Sequence, residues 1–235
     1  MKLMKTGILP LDTQLGGGIP AGSVVLVLEE PGAGGDVLSY HFAVEGALNG
    51  ENVLYLATDD TEEEVRDYVN LYFNLDDAVW ENITLLSLSS SLKKEGEKDA
   101  KDFLKKTMYD PIGGLKTILY HEDFDRVVVN NMTYFIANYP IEDVVSLIEV
   151  FSKYAKKNES VFMMLMTKGM FDSRTETAIK HYSDGVIELT LREVENEVQR
   201  RLKVIKFKGI LVPKAILRYE LTDKGIKMES VMRVL

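Results

Sequence analysis

The chain contains no cysteine among its 235 residues. That excludes disulfides, thiol catalysis and Cys-ligated metals. Histidine is almost as scarce, and His41, His121 and His181 lie far apart, so neither a His-rich metal centre nor a nucleophile–His–Asp arrangement is expected. Positive charge is also short: 28 Lys and Arg stand against 37 Asp and Glu, a formal net charge of -9. Phosphate backbones and anionic membranes are held by clustered cations, so nucleic acid and membrane are not expected partners. No apolar run approaches the length of a membrane span, and the opening MKLMKTGILPLD has no long apolar run. The expected location is the cytoplasm.

What is present is an alternation of short aliphatic runs with helix-length segments. SVVLVLEE (23–30), NVLYLATDD (52–60), RVVVNNM (126–132) and SVFMMLMT (160–167) read as buried strands of a parallel sheet. Between them, 36–49 ends at Gly50, 61–73 opens with a Thr cap followed by acids, and 141–157 starts after Pro140 and finishes on two lysines. From Gly185 onward shorter, partly alternating runs, with turns near Glu195-Asn196 and Asp223-Lys224-Gly225, predict antiparallel strands that extend the same sheet. The fold class is therefore α/β, a mainly parallel central sheet flanked by helices. Residues 1–235 read as one domain, with a polar surface segment at about 87–106 that forms a loop leading into a surface helix.

The stretch TGILPLDTQLGGGIPAGSVVLVLEEPGAGG resembles the opening of the KaiC-like branch of the RecA superfamily of P-loop ATPases. Gly7, Ile8, Leu11, Asp12, Leu15–Pro20 and Gly22 match its preamble in spacing. DRVVVNN is similar to the family's Walker B strand, and DGVIEL with RLKVIKFKG to its C-terminal strands. The resemblance implies a RecA-like fold over nearly the whole chain, apart from residues 87–106. It also implies a phosphate loop at Glu29, Glu30, Pro31, Gly32, Ala33, Gly34, Gly35 and Asp36, an acidic pair at Asp59 and Asp60, and a basic inter-subunit segment at Lys206 and Lys208.

Against that pattern the departures fall on the chemistry. Glu29 stands where the loop's first Gly is expected, Gly35 where the phosphate-binding Lys is expected, and Asp36 where a magnesium-binding Ser or Thr is expected. Asn130 replaces the Walker B Asp. Two like charges about 4 Å apart repel by about 4 kcal/mol at an effective dielectric of about 20, which is roughly a thousandfold in affinity. Glu29, Glu30 and Asp36 are therefore expected to disfavour a nucleotide. Asp36, at the start of the helix, reads as a cap whose carboxylate accepts the exposed N–H groups and neutralises the anion site from within.

The remaining features are weighed in the same way. No metal is expected; Asp36, Asp59 and Asp60 are the one oxygen set open to a divalent cation, against a reading of them as solvated acids. Lys206 and Lys208 read either as a solubilising strand face or as groups reaching the acidic loop of a neighbouring protomer. KGMFDSRTETAIKHY (168–182) occupies the place of a DNA-contacting loop but is close to neutral. Met163, Met164 and Met166 read as core filler. Phe103, Met108, Tyr109, Tyr120 and Phe124 read as packing against the sheet rather than as an exposed patch. The function expected is a non-catalytic pseudo-ATPase, a regulatory or scaffolding module that joins a protein partner or its own copies. No cofactor is expected, and ATP with magnesium enters only if the altered loop still binds it. The alternatives are an ATPase of the same family working with atypical residues and a metal-dependent hydrolase reusing the acids.

Overall fold

Strand β3 (Val24–Glu29) is buried along its whole length except for its last residue, Glu29, and the molecule is arranged around it. A computed structural model describes residues 2–89 and 110–229. The chain opens with β1 (Leu3–Met4), α1 (Leu9–Gln14) and β2 (Ile19–Pro20), and β1 and β2 pair as a small antiparallel sheet. After β3 come α2 (Gly35–Leu48), β4 (Val53–Ala57), α3 (Glu62–Phe73), α4 (Asp77–Trp80) and β5 (Ile83–Ser87). The second half holds α5 (Pro111–His121), β6 (Arg126–Asn130), α6 (Met132–Asn138), α7 (Ile141–Asn158), β7 (Val161–Thr167) and α8 (Ser173–Tyr182). The chain then runs through β8 (Gly185–Val194), β9 (Glu197–Phe207), β10 (Leu217–Thr222) and β11 (Gly225–Met228).

The nine-stranded sheet has the order β11-β10-β9-β8-β3-β7-β6-β4-β5. Strands β8, β3, β7, β6, β4 and β5 are parallel, and β9 to β11 are added antiparallel. This is the α/β architecture expected, with the antiparallel extension at the carboxyl-terminal side. One core lies between the sheet and α1 to α4, with Leu38, Tyr40, Val65 and Trp80 packed on Val25, Val27 and Tyr55. The other lies between the opposite face and α5 to α8, with Leu115, Leu147 and Phe151 on Leu26, Val129 and Phe162. Met163, Met164 and Met166 are fully buried, as core residues should be.

Local chemistry accounts for the element ends. Thr61 and Glu64 form a reciprocal capping box on α3. Asp172 accepts the N–H groups of Arg174 and Thr175 at the start of α8. Arg126 opens β6 only 1% exposed. Its guanidinium bonds Glu51 and the carbonyls of Lys5 and Phe42, and it sits 4.6 Å above the Phe42 ring. Residues 168–182, expected as a loop, include helix α8. Of the aromatic group assigned to the sheet, Phe124 is 4% exposed but Tyr120 is 85% exposed. Tyr120 lies on the outer side of α5, turned away from the core that Leu115 and Leu119 enter. Phe103, Met108, Tyr109 and nearly all of the polar segment lie outside the described residues. Among the described residues no helix is long and apolar enough to cross a membrane.

Candidate functional site

The carboxyl ends of β3, β4, β6, β7 and β8 lie along one edge of the sheet, where α/β proteins place their ligands. The loop Glu30–Gly34 leaves β3 there and turns into α2 through Gly34, whose φ of 94° is left-handed. A Cβ at Gly34 would lie 2.9 Å from Leu221 on β10, so both the turn and this close approach require glycine. The loop is held from above by the C-terminal strands. Tyr219 Oη donates to the Ala33 carbonyl at 2.7 Å, and Arg200 Nε donates to the Gly32 carbonyl at 3.3 Å. Nearly two turns into α2, His41 Nε2 accepts the Ile226 N–H of β11 at 2.9 Å. Burial lowers the His41 pKa to about 4, against a hydrogen bond with the Gly7 backbone that acts the other way.

The first N–H of α2 has its acceptor inside the chain. Gly35 N–H donates to Glu29 Oε2 at 2.6 Å. A Cβ at Gly35 would overlap all three atoms of the Glu29 carboxylate group, so the acid occupies the room that a side chain at position 35 would need. Position 29 and position 35 are thus one complementary arrangement. Burial, with the charge of Asp36 adding to it, pushes the Glu29 carboxyl up to about 7, although the Gly35 N–H favours the ionised form.

Asp36 does not cap the helix. Its Oδ1 accepts Asn130 Nδ2 from the end of β6 at 2.9 Å, and the same Nδ2 reaches Tyr55 Oη at 3.0 Å. Ser39 closes the chain, donating to the Asp36 carbonyl at 2.7 Å and lying 2.9 Å from Tyr55 Oη. Burial raises the Asp36 pKa; the Asn130 bond opposes that shift and the charge of Asp59 reinforces it. The capping expected of Asp36 is supplied instead by Glu29, because the strand end projects its carboxylate straight at the helix terminus.

Other sequence candidates separate from this centre. Glu30 turns away from the loop's concave side: one oxygen accepts Leu191 N–H at 2.7 Å and the other meets Lys168 Nζ at 3.4 Å. Pro31 is exposed on the outside of the turn. Asp59 Oδ2 accepts Thr58 Oγ1 and Asn131 Nδ2, and the Asn130–Asn131 peptide is cis. Burial and the charges of Asp36, Glu64 and Asp59 raise the Asp60 pKa. Among the described residues no three His, Cys, Asp or Glu side chains converge as a metal-ligand group.

Lys206 and Lys208 sit at the opposite edge of the sheet, level with the start of β8. Lys206 Nζ donates to the carbonyls of Lys180, His181 and Ser183 at the end of α8, and Lys208 Nζ pairs with Asp184 at 2.8 Å. Lys208 is exposed and Lys206 is tied to the end of α8, and neither is close to its own chain's phosphate loop. Tyr55, Ser39, Tyr219, Arg200 and His41 belong to the site and were not singled out by sequence. The only signal for Tyr55 was a hydroxyl in the middle of an otherwise aliphatic strand.

Comparison with known proteins gives this geometry a family. The description "ATPase: KaiC" matches residues 4–231. A UPF0273 protein of Aeropyrum pernix is 29% identical, with 98% of this chain and 96% of that protein covered. One from Pyrococcus furiosus is 28% identical, over 96% and 93%. The circadian clock protein KaiC2 of Synechocystis is 24% identical over 96% of this chain, but the match spans only 39% of that protein. Among solved structures, a KaiC-like protein from Pyrococcus horikoshii superposes with a TM-score of 0.74 at 18% identity, over 97% of this chain and 99% of that one.

Proposed function

Since the chain belongs to the KaiC ATPase family, we propose that it is a non-catalytic member whose phosphate loop is filled by its own side chain. It then acts by associating with protein, as a regulatory or scaffolding module. The observation that carries this reading is the Glu29 carboxylate bonded to Gly35 N–H. A phosphate loop works by presenting helix N-terminal N–H groups and a lysine to an anion. Here a carboxyl oxygen of the chain's own already accepts the first of those N–H groups, and position 35 has neither a cation nor room for one.

The second half of the site supports the same reading. Residues present at positions 36 and 130 do not fit a magnesium triphosphate. The Asn130 amide N–H donates to the one Asp36 carboxylate oxygen that would otherwise face a cation shared with position 130. Asp36 and Asn130 instead satisfy each other directly, and no step through a metal is derived.

Calorimetric titration of ATP and ADP with magnesium tests this. The unaltered chain is expected to give no binding heat. The combined variant E29G/G35K/D36T/N130D, which removes the built-in carboxylate as well as restoring the cation, is expected to bind at least tenfold more tightly than the unaltered chain. The rival reading, favoured by the family's description as an ATPase, is a working enzyme with atypical residues. Nucleotide binding and turnover by the unaltered chain would establish it and end the present one.

A further inference from the structure

The most exposed large apolar side chain among the described residues is Leu211, at 94%. It stands in the connection from β9 to β10, residues 208–216, which reads KGILVPKAI. Ile210 packs on the core beneath α1 to α4 and anchors the loop. Leu211, Val212 and Ile216 are exposed beyond it. Single exposed aliphatic residues are ordinary, whereas neighbouring ones on a loop tip mark a contact surface. The tip lies at the edge of the sheet where β3 and β8 begin and β9 ends, opposite the edge that holds the altered phosphate loop.

Charge is segregated in the same region. Residues 198–219 hold seven Lys and Arg and no Asp or Glu, although the chain as a whole has a net charge of -9. Neighbouring strands answer part of it: Asp184 pairs with Lys208, Glu188 lies across from Lys203, and Glu229 adjoins Arg218. Lys214, exposed on the loop itself, has no ion pair among the described residues. Beside Gly209 opens a cleft of about 430 Å³, in which Lys2, Lys156 and Lys208 stand with Asp184 and Glu159. Lys156 likewise has no ion pair among the described residues, and Lys2 is 3.8 Å from Asp125. Lysines thus flank the aliphatic tip on the loop and in the cleft next to it.

We propose that residues 209–216 and the cleft beside them dock on an anionic lipid surface. Leu211 and Val212 enter the acyl boundary while Lys156 and Lys214 meet lipid phosphates. A short apolar insertion or a few lysines alone hold a protein weakly; the two together give reversible attachment. The negative charge of the whole chain does not oppose this, because Asp36, Asp59 and Asp60 sit at the far edge of the sheet and charges beyond a screening length contribute little. A protein partner fits less well. Binding hot spots favour aromatic residues and Arg over Lys, Leu and Val, and residues 208–216 contain Lys, Leu and Val with no aromatic residue or Arg. The contact does not depend on what fills the phosphate loop, and vesicles bring neither nucleotide nor protein, so each reading can fail without the other.

Flotation with phosphatidylcholine vesicles containing about a quarter phosphatidylserine is expected to carry the full chain at low salt, and less of it as salt is raised. Vesicles of phosphatidylcholine alone should bind roughly fivefold more weakly or less. L211Q/V212Q is expected to lose roughly tenfold in affinity and K156Q/K214Q roughly fivefold or more. K224Q, on the β10–β11 turn at the other edge, stays unchanged. The replaced side chains are exposed, so each variant should melt with the unaltered chain; if one does not, the lipid and salt dependence of the unaltered chain carries the test. Absence of vesicle binding by the folded chain at low salt would overturn the proposal, as would equal binding by L211Q/V212Q. Self-association that L211Q/V212Q abolishes, without flotation, would reassign the tip to a second copy. A chain ending at Glu229 that floats where the full chain does not would reassign it to the chain's own last residues.

Discussion

Glu29 is a carboxyl group whose protonation is tied to the fold. Its pKa is raised from 4.5 to about 7 in the folded chain, mainly by burial and then by Asp36. The folded state therefore holds the proton more tightly. The stability this gives is complete below about pH 4.5 and is lost as pH rises through about 7. A shift of that size is worth at most about 3 kcal/mol. Glu29→Gln removes the titration, so relative to the unaltered chain the variant should gain up to about 3 kcal/mol between pH 4.5 and pH 8, measured by urea unfolding. A constant difference across that range would show that the carboxyl is not held as described. At this scale the sequence supplied identities but not directions. Glu29, Glu30 and Asp36 are equally acidic on paper, yet one enters the loop, one leaves it and one binds Asn130. The choice depends on the missing side chain at Gly35 and on an amide 94 residues away, neither of which a local pattern encodes.

The elements around the loop form a clamp. The β10–β11 hairpin grips it through Tyr219 on Ala33, Leu221 against Gly34 and Ile226 on His41. Tyr219→Phe deletes one buried hydrogen bond, worth about 1 kcal/mol, and should speed amide exchange at Ala33 to Asp36 severalfold while α7 exchanges as before. His41 makes the same clamp acid-sensitive. Its pKa falls from 6.5 to about 4 on folding, so its contribution is present above pH 6.5 and disappears as pH drops through about 4. His41→Gln should flatten that limb of an acid unfolding curve. Element positions were largely legible: β3, β4, β6, β7, α2, α3 and α7 fall within a residue or two of their aliphatic runs and caps. Helices α1, α4, α5, α6 and α8 and strand β5 were not anticipated. Helix α6 is only seven residues long, and α8 buries only Ile179, leaving almost no apolar stripe to read.

For the molecule as a whole, the excess of acid has a global cost. A net charge of -9 repels itself in the compact state, with Asp36, Asp59 and Asp60 near one another at one sheet edge. Raising sodium chloride from low to moderate concentration should therefore raise the melting temperature; a fall would show that local ion pairs outweigh the net repulsion. The α/β class and the antiparallel extension followed from alternation of strand and helix. The strand order did not, because the crossover from β3 through α2 to β4 skips two positions that β7 and β6 fill much later in the chain. The fit between Glu29 and Gly35 also bears on which changes the loop can accept. A lysine placed at position 35 would collide with the acid, and a glycine placed at position 29 would strip the helix terminus of its acceptor while supplying no cation. Either change alone is unfavourable, so the two positions can be altered without loss only together.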